Sequence, residues 1–124
     1  MVRDWELIRQ ILLRIESLES TRQYIDSREF AAEHKVSDSL VYHQFEILYE
    51  SGLIQAQDVS SMDGHAMTAR ALTWQGHEFL DKTRESKLWN DVKDEARKRG
   101  ISLSFEAIGA LCTKLIAVAI ANVQ

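Results

Sequence analysis

The side chains able to do chemistry are few, and none stands at a spacing that assembles a reaction centre. His34, His43, His65 and His77 show no paired ligand spacing, and the single cysteine, Cys112, has no partner thiol. A metal site is therefore not expected, and no cofactor is implied. Cys112 falls among apolar residues of a helical stretch, where a thiol packs as a small inert hydrophobe. No Gly-rich phosphate loop, nucleophile elbow or zincin motif occurs, and the acidic residues are scattered rather than paired. An enzyme is not expected.

Polar residues become informative only as an outward helix face. Winding residues 38–51 at about 100° per residue turns Leu40, Val41, Phe45 and Leu48 inward, together with Gln44. The outward arc then carries Ser39, Tyr42, His43, Glu46 and Glu50. Ser39 could reach a phosphate, and Tyr42 and His43 base edges or backbone. The arc lacks Arg, Lys, Asn and Gln at its centre, the side chains that make bidentate base contacts. Further candidates for duplex contact are Arg70, with Ser60, Ser61 and His65 nearby, and a basic helix bearing Lys87, Lys93, Arg97, Lys98 and Arg99.

The elements that must position this face follow from periodicity. Residues 4–18 carry Trp5, Ile8, Ile11, Leu12, Ile15 and Leu18 on one helical stripe. A short strand is expected around residues 21–25. Ser27 then caps a helix over 28–34, and a connector (35–38) leads to the helix described above, which Gly52 stops. Residues 53–59 and 66–72 read as strands, with Asp63-Gly64 as the turn signal between them. Thr73 caps a helix over 74–85, a second runs over 87–99 to Gly100, and a last one starts near Ser104.

This order, helix, turn, helix and hairpin, is the parts list of a winged helix-turn-helix. The expectation is a mainly α (α+β) chain: a winged-helix core over 1–85 with a small β-hairpin wing, and additional C-terminal helices over 86–124. The chain has 124 residues and 45% hydrophobic content, enough for a core without a disulfide or metal. Proline is absent, so helices can run unbroken, and a single cysteine fits a reducing cytoplasm. The charged N-terminal stretch does not read as a signal peptide.

Several segments resemble a known family. They are the run from Arg3 to Leu13, Val41-Tyr42-His43, Glu50-Ser51-Gly52-Leu53-Ile54, and Leu72-Thr73-Trp74-Gln75-Gly76-His77-Glu78-Phe79-Leu80-Asp81. Leu88-Trp89-Asn90 and Ser102-Leu103-Ser104-Phe105-Glu106 complete them. Together they are similar to the small bacterial and phage proteins of domain-of-unknown-function family 2513. The resemblance implies a winged-helix fold and brings no activity with it.

Charge and architecture point to different partners. The net charge is −4, and residues 27–52 hold two basic against five acidic side chains. Residues 82–100 reverse this, with seven against four. Architecture favours duplex DNA, with Ser39, Tyr42 and His43 in the major groove and Arg70, Lys93, Arg97 and Lys98 on phosphates, as in a small transcription regulator. The acidic middle favours the alternative, a protein-protein interaction module such as one used in phage–host contacts. The C-terminal segment is apolar on nearly all sides. A homodimer is expected through Ile108, Leu111, Leu115 and Val118, while Lys114 argues against a membrane span.

Overall fold

A computed structural model describes residues 2–20 and 22–123. The chain is α+β, six helices with one three-stranded antiparallel sheet among the described residues. Contacts divide it into two compact units, Met1–His77 and Glu78–Gln124.

In the first unit, α1 (Trp5–Glu16) starts where the Asp4 carboxylate accepts the Leu7 N–H at 3.1 Å. Its stripe of Leu7, Ile8, Ile11, Leu12 and Ile15 is buried, with Trp5 and Leu18 half-buried at its ends. Strand β1 is only Ile25–Asp26. Helix α2 (Ser27–His34) begins one residue earlier than expected, because Asp26 rather than Ser27 caps it, accepting the Arg28 N–H at 2.8 Å. The buried Ser27 hydroxyl instead accepts the Met67 N–H at 3.1 Å, tying α2 to the sheet. The helix ends at Lys35, whose φ of 56° makes the left-handed turn.

Helix α3 (Asp38–Glu50) follows a three-residue connector and is capped by Ser37. Val41, Phe45 and Leu48 are fully buried, Leu40 is half-buried, and Phe30 meets Phe45 edge-on at 6.3 Å. Gln44 is also fully buried. Its amide oxygen accepts the Asp4 N–H at 2.9 Å and its amide nitrogen donates to the Val2 carbonyl at 3.2 Å. Burying an amide is tolerable only when its partners are supplied, and here the N-terminal backbone supplies them.

Strands β2 (Ile54–Asp58) and β3 (Met67–Leu72) pair antiparallel, and β1 joins the other side of β3, giving the order β1-β3-β2. Gln55 pairs with Ala71 and Ala56 with Ala69, so Arg70 is the extra residue of a β-bulge. The hairpin turn differs from the expectation. Ser61 and Gly64 exchange both backbone hydrogen bonds, at 3.0 and 3.1 Å, which puts Met62-Asp63 rather than Asp63-Gly64 at its centre. Gly64 takes the positive φ, 134°, on the return.

Helix α4 (Trp74–Thr83) carries the chain from one unit to the next. Thr73 caps it through a 3.1 Å bond from the Gly76 N–H, while its own hydroxyl donates to the Gly52 carbonyl at 2.6 Å. Trp74 is 76% exposed and so no core residue. The helix stops two residues short of residue 85, because Glu85 caps α5 (Ser86–Arg99), accepting from Lys87 and Leu88. The division falls inside α4, and Phe79 packs edge-on against Phe105 at 5.1 Å within the second unit.

Gly100, at φ 66°, ends α5, and α6 (Phe105–Val123) follows with the Ser104 hydroxyl accepting from Ala107. Trp89, Val92, Ala96, Ile108, Leu111 and Cys112 are buried in this unit. Cys112 donates to the Lys82 carbonyl at 3.3 Å, and burial pushes its thiol pKa up, as suits an unreactive packing group. Among the described residues, no helix is long and apolar enough to cross a membrane.

Candidate functional site

The outward face of α3 and the hairpin tip bound one groove of about 540 Å³. Arg28, Asp38, Ser39, Tyr42, His43, Glu46, Asp63, Gly64 and His65 line it. Three of the residues singled out from the sequence, Ser39, Tyr42 and His43, therefore come together, and His65 joins them from the hairpin.

Their geometry is that of a strut. The Tyr42 hydroxyl donates to Asp58 Oδ2 at 2.6 Å, linking the middle of α3 to the end of β2. The Tyr42 ring lies against His65 with centroids 5.1 Å apart at 27°. Asp58 also accepts the Ser60 N–H at 2.8 Å, and Ser60 Oγ accepts from Ala66 at 3.1 Å. The hydroxyl of Ser60, then that of Tyr42 and the Ser60 N–H, hold the Asp58 carboxyl down at about 2, while the Asp58 bond raises the Tyr42 pKa. Ser60 and Ser61 spend their side chains inside the loop, Ser61 accepting the Asp63 N–H at 3.2 Å. Sequence reasoning misses Asp58 as a member of this site. The available signal is the Asp58-Val59-Ser60 pattern at a strand end, an Asx-turn sequence.

The groove is acidic. Asp38, Glu46 and Asp63 face one cation, Arg28, for a net of −2 with histidine neutral. Arg28 is already bound to Asp26 at 2.8 Å, a contact that lowers the Asp26 pKa. His43 sits 3.3 Å from Glu46. Ser39, exposed at the start of α3, and the carboxylates of Asp38 and Asp63 make no side-chain hydrogen bond or ion pair on this face among the described residues. No group of three or more His, Cys, Asp and Glu placed to hold a metal occurs among them.

The remaining candidates lie elsewhere. Arg70 lines two other clefts, one on the outer face of the sheet and a smaller one that it shares with Glu16, Glu19 and His77. Lys93 lies over the Trp89 ring at 5.5 Å, Arg97 approaches Asp94 at 3.5 Å and Lys98 is exposed, all on α5 in the second unit. Of the residues expected at a dimer face, Ile108 and Leu111 are buried within the chain itself. Leu115 is half-buried, and the large exposed apolar residues of α6 among the described ones are Ile116, Val118 and Ile120, at 37%, 49% and 59%.

Comparison with known proteins agrees with the segments that resemble a family. The model of the family described as "Hypothetical protein (DUF2513)" matches residues 2–102. The chain belongs to that family. It is also 40% identical over 116 residues to an uncharacterized protein of Haemophilus influenzae, covering 94% of this chain and 96% of that one. No solved structure matches it. The family match includes all of α3 and the hairpin, and so the groove, whereas the whole of α6 lies beyond residue 102.

Proposed function

We propose that the first unit is a winged helix-turn-helix used as a protein-docking module, with the α3–hairpin groove receiving a positively charged segment of a partner. The element order α1-β1-α2-α3-β2-β3, the three-residue connector before α3 and the sheet order β1-β3-β2 support the winged-helix reading. The charge of the groove supports the docking reading. A duplex seated against α3 would bring its phosphates towards Asp38, Glu46 and Asp63, with the one cation there already neutralised. The side chains that read base edges bidentately are missing from the same face, and Gln44 is committed to the N-terminal backbone.

The test pairs two probes on the full chain. Random duplex fragments are run in a mobility-shift series from low to moderate salt, and a lysine-rich peptide is titrated with amide chemical shifts recorded. The expected result is no retarded duplex, with shifts clustered at Ser39, Tyr42, His43 and Gly64. Salt-sensitive retardation that disappears in a folded Ser39→Ala, His43→Ala variant would overturn the proposal and make the module a DNA-binding one.

A further inference from the structure

The outer face of the sheet carries a second concave surface, with no residue in common with the α3 groove. It encloses about 690 Å³, within the range typical of small-molecule sites. Two cross-strand rows build it. Asp26 pairs with Thr68, which pairs with Gln57 on the other side. Continuing the β1–β3 register by one residue sets Tyr24 beside Arg70, with Gln55 on the far side of the bulge. Side chains alternate across a strand, so the outward residues of these rows share a face while Ile25 and Ala69 turn into the core.

The state of these side chains points to a ligand. Tyr24 is 60% exposed, and Arg70, Gln55 and Gln57 are exposed too. Arg70 has no ion pair, and Tyr24, Gln55 and Gln57 have no side-chain hydrogen bond, among the described residues. Contrast Asp26 at the rim, whose carboxylate is taken up by Arg28 and the start of α2, so it does not oppose Arg70. The bulge adds a residue to β3 at the position of this arginine, and bulges re-aim side chains. An unpaired guanidinium calls for an anion. An exposed phenol ring beside it offers a flat apolar face for stacking, and carboxamides offer donors and acceptors to a heterocycle's edge.

We propose that the outer-sheet cleft formed by Tyr24, Arg70, Gln55 and Gln57 binds a planar heterocycle that carries a phosphate, a mononucleotide being the simplest case. The phosphate sits on Arg70, the ring lies on Tyr24, and the two glutamines meet the ring edge. The site is independent of the α3 groove, so neither proposal stands or falls with the other.

The experiment is a titration of the isotope-labelled full chain with AMP, GMP, CMP and UMP, with inorganic phosphate and adenosine as separate arms. Saturable shifts at the amides of residues 24–26, 55–57 and 68–70 are expected, with a Kd at or below about 1 mM for at least one nucleotide. Arg70→Ala and Tyr24→Ala, both at exposed positions that leave the fold intact, weaken that binding by at least about tenfold. Three results overturn the proposal: no saturable shift at these residues, unchanged affinity in both variants, or phosphate alone binding as tightly as the nucleotide.

Discussion

Replacing Gly76 by alanine tests the junction between hairpin and α4 most directly. A Cβ built there would lie 2.0 Å from the Leu53 carbonyl oxygen, 3.0 Å from its carbon and 3.3 Å from the Leu72 Cβ. The obstacle is backbone, so no rotamer change relieves it. The oxygen must withdraw by about an ångström, yet it also accepts the Thr73 N–H at 3.0 Å, the bond that closes the hairpin beside the Thr73 cap. Overpacking costs about 1–3 kcal/mol and loss of that hydrogen bond about 1 kcal/mol, offset by roughly 1 kcal/mol of alanine's helix preference. The net is a loss of about 1–3 kcal/mol, or roughly 4–12 °C in melting temperature for a chain this long. Thermal unfolding followed by circular dichroism measures it. Gly109→Ala is the matched control. Within 4 Å its new methyl meets only the end of the Lys82 side chain, at 4.0 Å, so helix preference alone acts and stability rises by up to about 1 kcal/mol. A Gly76→Ala protein as stable as the parent would refute the close-approach argument.

Three further perturbations probe single contacts. Gln44→Leu keeps the volume but strands the Asp4 N–H and the Val2 carbonyl, so about 1–3 kcal/mol is lost and the Asp4 amide exchanges faster with solvent. Ser27→Ala leaves the buried Met67 N–H without its acceptor; urea unfolding should show a similar loss of about 1–3 kcal/mol, and no loss would mean another acceptor moves in. Asp58, held at about 2 against an ordinary 3.8, binds its proton less readily folded than unfolded. Its contribution is therefore present above the ordinary carboxylate range and fades as pH falls towards 2. Tyr42→Phe should raise the Asp58 midpoint in a carboxyl NMR titration, and an unmoved midpoint would mean that Ser60 alone sets it.

Local rules made much of this chain legible. The stripes of α1 and α3, the left-handed stop at Gly100 and the Thr73 cap each depend on residues within a few positions of one another, and they stand where periodicity and capping chemistry put them. The misplacements come from competition between neighbours with the same local capacity. Asp26 and Ser27 can both cap α2, and only the distant Met67 N–H decides between them. Asp63-Gly64 can centre a two-residue turn, but pairing of Ser61 with Gly64 moves the centre back by one. Ile108 and Leu111 were readable as apolar and not as inward, because a helix apolar on nearly every side carries no phase.

The candidate site shows the same limit. Winding α3 was enough to bring Ser39, Tyr42 and His43 to one face, and to turn Gln44 away from it. Which charges share that face was out of reach, since Asp63 arrives from the hairpin and Arg28 from the preceding helix. The latch between Tyr42 and Asp58 spans 16 residues and exists only once β2 is laid against α3. This matters for function, because element order and charge pull in opposite directions here. Order alone suits a helix presented to a major groove, whereas binding of a polyanion is dominated by its phosphates and so by the local field. Arg28 is the one cation among the charged residues lining the groove, and it is held by Asp26, so the field there is set by carboxylates. The exposed basic side chains of α5 belong to the second unit, and Arg70 to the other face of the sheet. A cationic partner for the α3 face is therefore proposed on its charge rather than on the order of its elements.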